Sequence, residues 1–112
     1  MSRGRGGGAS DRRLRSRREF RLIYRKGVKC VEDRMVVYGF VNGCGPSKLG
    51  ITVSKKWGKA CKRNRFKRVV REGYGRIRAL LPEHMLLNVH PSREYESLTP
   101  DDVAKALRRC CV

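Results

Sequence analysis

The run Lys62 to Arg71, which reads KRNRFKRVVR, restricts the fold of this chain more than any other stretch. Wound as a helix at about 100° per residue, it and its continuation place Phe66, Val69, Val70, Gly73, Ile77 and Leu80 on one side, with Asn64, Arg68 and Arg71 opposite. The apolar side must be laid on a sheet or another helix, so the guanidinium groups are held out from a rigid element. From Lys55 to Arg78 there are eleven Lys and Arg against one acid, Glu72. A face kept only for solubility interleaves both signs. This one suits phosphates, because the planar fork of Arg takes two phosphate oxygens at once and a carboxamide between cations can read a base edge or a ribose hydroxyl.

Charge elsewhere supports a polyanionic partner. The 112 residues carry a net +18 with a pI of 10.8, distributed as +6 over 1–18, +3 over 19–54, +10 over 55–78 and −1 over 79–112. The excess thus sits in one block plus a basic arm. An anionic membrane is the competing polyanion, but no apolar run approaches the roughly 18 residues of a spanning helix. Residues 1–13 hold Gly, Arg and Ser without an apolar core, so no export signal is expected and the location expected is cytoplasmic. Cys30, Cys44, Cys61, Cys110 and Cys111 are odd in number and lack CxxC spacing, which predicts five reduced thiols and no zinc.

The length fits one domain that buries roughly two-thirds of its unfolded surface. Residues 1–11, with Gly4, Gly6, Gly7 and Gly8 between and after Arg3 and Arg5, read as a disordered basic arm, and 12–112 as a single domain. A first helix is expected from Ser16, with Ser16 and Glu19 as a capping box, Phe20, Ile23 and Tyr24 at helical spacing, and Gly27 ending it. The period then changes to two, which predicts strands at Val28–Val31, Met35–Val41 and Leu49–Val53, the last two joined by a hairpin-like turn at 42–46. In the middle strand Val36, Tyr38 and Phe40 share one face and Met35, Val37 and Val41 the other, so both faces need cover or one is left as a groove. The basic helix runs from Lys59 or Ala60 to Leu81, before Pro82. Met85–Val89 reads as a fourth strand, and a last helix opens with Thr99 as cap and Pro100 at its first position. The order α-β-β-β-α-β-α implies an α+β two-layer sandwich on a four-stranded sheet.

A catalytic constellation is hard to assemble. His84 and His90 are the only histidines, the acids are scattered, and Gly50-Ile51-Thr52-Val53-Ser54-Lys55-Lys56 lacks the second glycine of a phosphate-cradling loop. Phe20, Tyr24 and Tyr38 can line a groove where unpaired bases stack, or Phe20 and Tyr24 can be core anchors of the first helix.

Arg63-Asn64-Arg65 followed by Lys67-Arg68 and Arg71 resembles the RNR signature of the bacterial ribonuclease P protein subunit. Leu49 to Lys56 is similar to the strand and turn before it, and Arg13-Leu14 through Arg18-Glu19-Phe20 to that family's opening segment, so the likeness spans about residues 12–111. The resemblance implies a protein that binds a large catalytic RNA as a heterodimeric ribonucleoprotein and assists removal of the 5′ leader of precursor tRNA. The hydrolysis is magnesium-dependent and performed by the RNA. It implies RNA contacts at Lys55, Lys56, Lys59, Lys62, Arg63, Asn64, Arg65, Lys67, Arg68 and Arg71, with magnesium indirectly placed near Asn64. It implies a leader cleft at Phe20, Tyr24, Val36 and Tyr38 with His90 opposite, and a left-handed β-α-β crossover through the basic helix. Two departures stand out: Asn88-Val89-His90 replaces an apolar residue, a small one and Arg, and the glycine-rich arm has no counterpart. From the residues alone, a ribosomal or RNA-chaperone protein remains the alternative, and identifying the bound RNA would separate the two.

Overall fold

The strand order departs from the chain order, and that decides where the functional surfaces lie. A computed structural model describes residues 14, 16–32, 34–41, 43, 47–81 and 83–111, so the basic arm expected at 1–11 lies outside the described residues. Its elements are α1 (Arg17–Lys26), β1 (Val28–Val31), β2 (Met35–Val41), β3 (Lys48–Ile51), α2 (Ala60–Ile77), β4 (Met85–Pro91) and α3 (Pro100–Cys111). Single 3₁₀ turns occupy Lys55–Trp57, Arg78–Leu80 and Tyr95–Ser97.

The sheet runs β1-β2-β4-β3. β2 and β3 are therefore not a hairpin, as the turn residues at 42–46 suggested. β4 inserts between them, antiparallel to β2 and parallel to β3. The reason is burial: Met85 to Val89 are buried on both faces, and only a central strand covers both. Parallel β3 and β4 joined through α2 form the β-α-β crossover.

Alternation splits the core into two layers. Met35 and Val37 of β2 and Leu87 and Val89 of β4 pack with Phe66, Val69, Val70, Tyr74 and Ile77 of α2 and with Val103 and Leu107 of α3. On the opposite face Leu86, Tyr38 and Phe40 meet Leu14, Phe20 and Ile23. Ile23 is fully buried, which contributes about 1.5–3 kcal/mol toward holding α1 on the sheet. α1 covers only part of that face, so the face is both capped and, beyond Tyr24, open.

Two glycines are set by close approach. A Cβ on Gly27 would lie 2.7 Å from the Gly39 carbonyl oxygen, where α1 runs into β2, and one on Gly73 would lie 2.7 Å from the Pro100 carbonyl oxygen and collide with Val103. α2 and α3 therefore pack backbone to backbone there.

Several local expectations are corrected. Ser16 is the N-cap of α1 but its hydroxyl makes no capping bond, and the Glu19 carboxylate, which would close the box on the Ser16 amide, is drawn away to Lys48 at 3.1 Å. The reciprocal box forms instead at α3, where the Asp102 amide donates to Thr99 Oγ1 at 3.2 Å and the Thr99 amide to Asp102 Oδ2 at 3.1 Å. Leu80 is 61% exposed, since α2 gives way to the 3₁₀ turn before reaching it. The expectation of reduced thiols fails at Cys30 and Cys110, which form a disulfide across 80 residues of sequence with Cα atoms 6.1 Å apart. No short spacing announced the pair, because β1 and the end of α3 meet only through the tertiary fold. Cys61 is a free, exposed thiol. Cys44 and the Cys111 side chain lie outside what is described. Glu32 brings a third potential ligand atom within 4.8 Å of both disulfide sulfurs, but its carboxylate is paired with Arg109.

Candidate nucleic-acid interface

α2 presents its charge as the helical wheel requires. Phe66, Val69, Val70, Gly73, Tyr74 and Ile77 are buried, whereas Asn64, Arg65, Arg68 and Arg71 are exposed. Among the described residues Lys67, Arg68 and Arg71 have no acidic partner. The first turn of the helix is different. Lys62 pairs with Glu96 at 3.3 Å, Arg63 Nε donates to the Gly58 carbonyl at 3.1 Å, and Arg65 donates to the Glu96 carbonyl at 3.0 Å. Part of the RNR segment thus braces the loops on either side of it.

The approach to α2 is fixed from beneath. The Tyr95 hydroxyl donates to the Trp57 carbonyl, and the Tyr95 ring stands edge-on to both Trp57 and Phe66 with centroids 5.7 Å away. Gly58 adopts φ 122°, a conformation that side chains resist. Lys55, Lys56 and Lys59 are exposed around this turn, with the Lys56 ammonium 5.6 Å from the Trp57 ring centroid. The turn continues the cationic row and bends it toward the sheet.

There it borders a cleft of about 320 Å³ lined by Lys29, Val36, Tyr38, Thr52, Ser54, Lys56, Trp57, His90 and Pro91. The cleft brings together three of the five residues expected there, Val36, Tyr38 and His90. Tyr24 closes its back: its ring is edge-on to Tyr38 at 4.8 Å and its hydroxyl lies 2.8 Å from His90 Nε2. Phe20 is not part of it, and lines a separate groove against β3 and α2. Lys29, Trp57 and Asn88 were missed. Lys29 pairs directly across from Tyr38 in the β1–β2 register, and its ammonium lies 5.8 Å from that ring. Asn88 is the one polar side chain among the buried described residues, and its signal was a carboxamide inside an otherwise apolar strand.

Asn88 organises the cleft's chemistry. Its amide nitrogen lies 2.5 Å from the Tyr24 hydroxyl and 3.1 Å from His90 Nε2, and its oxygen accepts from Thr52 Oγ1 at 3.3 Å. The consistent proton assignment has Asn88 donating to the Tyr24 oxygen and the Tyr24 hydroxyl donating to His90 Nε2. That leaves the His90 proton on Nδ1. Burial first, and the Lys29 ammonium second, push the His90 pKa below its ordinary 6.5. Burial likewise raises the Tyr24 hydroxyl above 10. At neutral pH the cleft is therefore an uncharged aromatic wall with Lys29 and Lys56 on its rim. This suits bases against the wall and phosphates against the rim.

Comparison with known proteins decides the family. The family model for ribonuclease P matches residues 9–112. The chain belongs to the ribonuclease P protein family. The ribonuclease P protein component of Thermotoga maritima is 40% identical over 82 residues, which are 73% of this chain and 70% of that protein. Among solved structures, the Thermotoga maritima RNase P protein in complex with 1-(4-fluorophenyl)-2-thiourea superposes with a TM-score of 0.72 at 37% identity, covering 87% of this chain and 94% of that one. The Staphylococcus aureus RNase P protein gives a TM-score of 0.73 at 28% identity over 88% and 91%. The ribonuclease P assignment makes the chain a component of a tRNA-processing enzyme. Among the described residues no helix is long and apolar enough to cross a membrane.

Proposed function

We propose that this chain is the protein subunit of a cytoplasmic ribonuclease P ribonucleoprotein, docking on a catalytic RNA through α2 and holding the 5′ leader of precursor tRNA in the Val36, Tyr38, His90 cleft. Bond cleavage belongs to the RNA and its magnesium, and the protein contributes binding. The observation that carries the reading is the pair Arg68 and Arg71, exposed on a helix locked to the core and without acidic partners among the described residues. A magnesium ion held by the protein itself at Asn64 is not supported. Hard cations gather several oxygen ligands, and the side chains flanking Asn64 are Lys62, Arg63, Arg65 and Phe66.

The positions of the two surfaces support a division of labour. Phosphates of the folded RNA meet Arg68, Arg71 and Lys67, with Lys55, Lys56 and Lys59 extending the row toward the cleft. Leader bases then stack against Tyr38 and Tyr24, while Lys29 and Lys56 take leader phosphates. His90, neutral and hydrogen-bonded, offers shape and not charge. Addition of the folded chain to its cognate RNA at low magnesium should accelerate precursor cleavage and tighten precursor binding over mature tRNA. Unchanged cleavage and unchanged discrimination would refute the proposal.

A further inference from the structure

Three groups far apart in sequence converge where β1 meets the end of α3. Cys30 lies in β1, Glu32 just beyond its end, and Cys110 in the last turn of α3. Glu32 Oε2 stands 3.7 Å from Cys30 Sγ and 3.9 Å from Cys110 Sγ, and all three residues are half-buried. The carboxylate is placed from two sides. Its other oxygen, Oε1, is held by Arg109, and the Glu32 amide donates to the Met35 carbonyl at 2.9 Å. The ion pair with Arg109 therefore engages one oxygen and turns the other toward the sulfurs.

The two sulfurs are joined as a disulfide. In a compartment that keeps thiols reduced, such as the cytoplasm of the proposed function, that bond opens. A dithiol supplies two electrons and two protons and becomes a disulfide itself, which leaves Cys30 and Cys110 as thiols. What remains is a donor set of two thiols and a carboxylate. Such a set selects zinc over the hard cations magnesium and calcium. A tetrahedral zinc with Zn–S of about 2.3 Å and Zn–O of about 2.0–2.2 Å sets sulfur-to-oxygen edges of about 3.5–3.7 Å. The 3.7 and 3.9 Å already present are close to this, so the main change required is a wider sulfur-to-sulfur edge, about 3.8 Å, once the bond is cut.

We infer that the reduced chain holds one zinc ion between Cys30, Cys110 and Glu32, with Arg109 positioning the carboxylate and a fourth position open to water. On binding, zinc displaces the two thiol protons to solvent. The lack of CxxC spacing, which argued against zinc, counts only ligands adjacent in sequence, whereas these meet through the fold. β1 is the edge strand beside β2, so the cluster ties it to α3 in either state, by a covalent bond when oxidised and by a metal when reduced. The inference takes from the proposed function only the reducing compartment.

The test titrates the full chain, reduced with a phosphine that is itself converted to its oxide, with zinc ion alone against a chromophoric chelator. One zinc per chain is expected, together with a higher melting temperature in zinc than without it. Cobalt(II) in place of zinc should give the charge-transfer band of thiolate ligation. Cys30→Ser and Glu32→Gln should each weaken zinc binding by about tenfold or more, as should closing the disulfide by oxidation, while Cys61→Ser, which removes the free exposed thiol, leaves it unchanged. Zinc held equally well by Cys30→Ser, by Glu32→Gln or by the oxidised chain overturns the site, and so does a loss in Cys61→Ser. Should Cys30→Ser fold poorly, as its melting temperature would show, Cys110→Ser removes the other sulfur and its result is read the same way. Failure to stimulate precursor cleavage would instead refute the subunit role, since zinc affinity is measured without any RNA.

Discussion

The outer face of α2 and the Tyr38 cleft, both assigned to RNA in the proposed function, are built on opposite principles. On α2 Arg68 and Arg71 are exposed and Lys67 half-buried, all three with no acidic partner among the described residues, and the precision lies in the buried side of the helix. At the back of the cleft the polar groups are engaged with one another, Tyr24 with Asn88 and His90, and Asn88 with Thr52. On that proposal the first surface would work through counter-charge and be sensitive to salt. The second would work through shape and stacking and be sensitive to protonation. An RNA-docking protein can therefore separate how tightly it holds its RNA from what it selects.

The largest effect should come from emptying the charged face. Arg68→Ala with Arg71→Ala should weaken assembly with the catalytic RNA about 100-fold, at roughly 1.5 kcal/mol or more per charged hydrogen bond, and lower the slope of log affinity against log salt by about 1.5–2. Filter binding at several salt concentrations measures both, and an unchanged slope would erase the contrast. Tyr38→Ala should cost about 1–3 kcal/mol of precursor affinity and leave mature tRNA and RNA assembly nearly untouched. Equal losses for precursor and mature tRNA would remove the leader cleft.

Asn88→Ala sharpens the comparison from inside. It orphans partners in a buried network and should lower stability by about 2 kcal/mol in urea unfolding with an unchanged m-value, and it should loosen leader discrimination without altering the salt slope. The smallest effect is in pH. The folded His90 pKa lies below the unfolded value of 6.5, so the native state binds fewer protons in that window. Its stabilising contribution is complete above about pH 6.5 and is lost as pH falls through the lower folded value. Lys29, Tyr24, Tyr38 and Lys56 lie around the ring. His90→Gln should flatten stability between about pH 5 and 6.5; a curve as steep as that of the parent protein would assign the dependence to another group.

The elements of the fold were legible in the sequence, and the pairing of strands was not. β1 and β2 follow from alternation and β-branched composition, β4 from a short apolar run bounded by Pro82 and Pro91, and α3 from Thr99 and Pro100. The hairpin expectation failed because turn residues report local bending, whereas β4 takes the centre for a global reason, burial on two faces. The Ser16 box failed because Glu19 found a charged partner 29 residues away in sequence, and the Cys30–Cys110 bond escaped for the same reason of distance. In the interface, the cationic row of α2 was readable from a wheel. The cleft needed the register that sets Lys29 beside Tyr38 and the fold that joins Tyr24 to Asn88. Phe20, expected in the cleft, packs on the same face of the sheet as Tyr38 but lines the groove beside β3 and α2.

The central position of β4 also governs how this protein can be made. β3 emerges early from the ribosome but has no strand to pair with until residues 85–91 follow it, so the sheet stays open while most of the chain is already synthesised. During that interval the apolar underside of α2 is uncovered and its arginines are already free to meet nucleic acid. Newly made chains should thus be prone to premature capture by whatever RNA is near, and folding is completed only when the last quarter of the chain arrives.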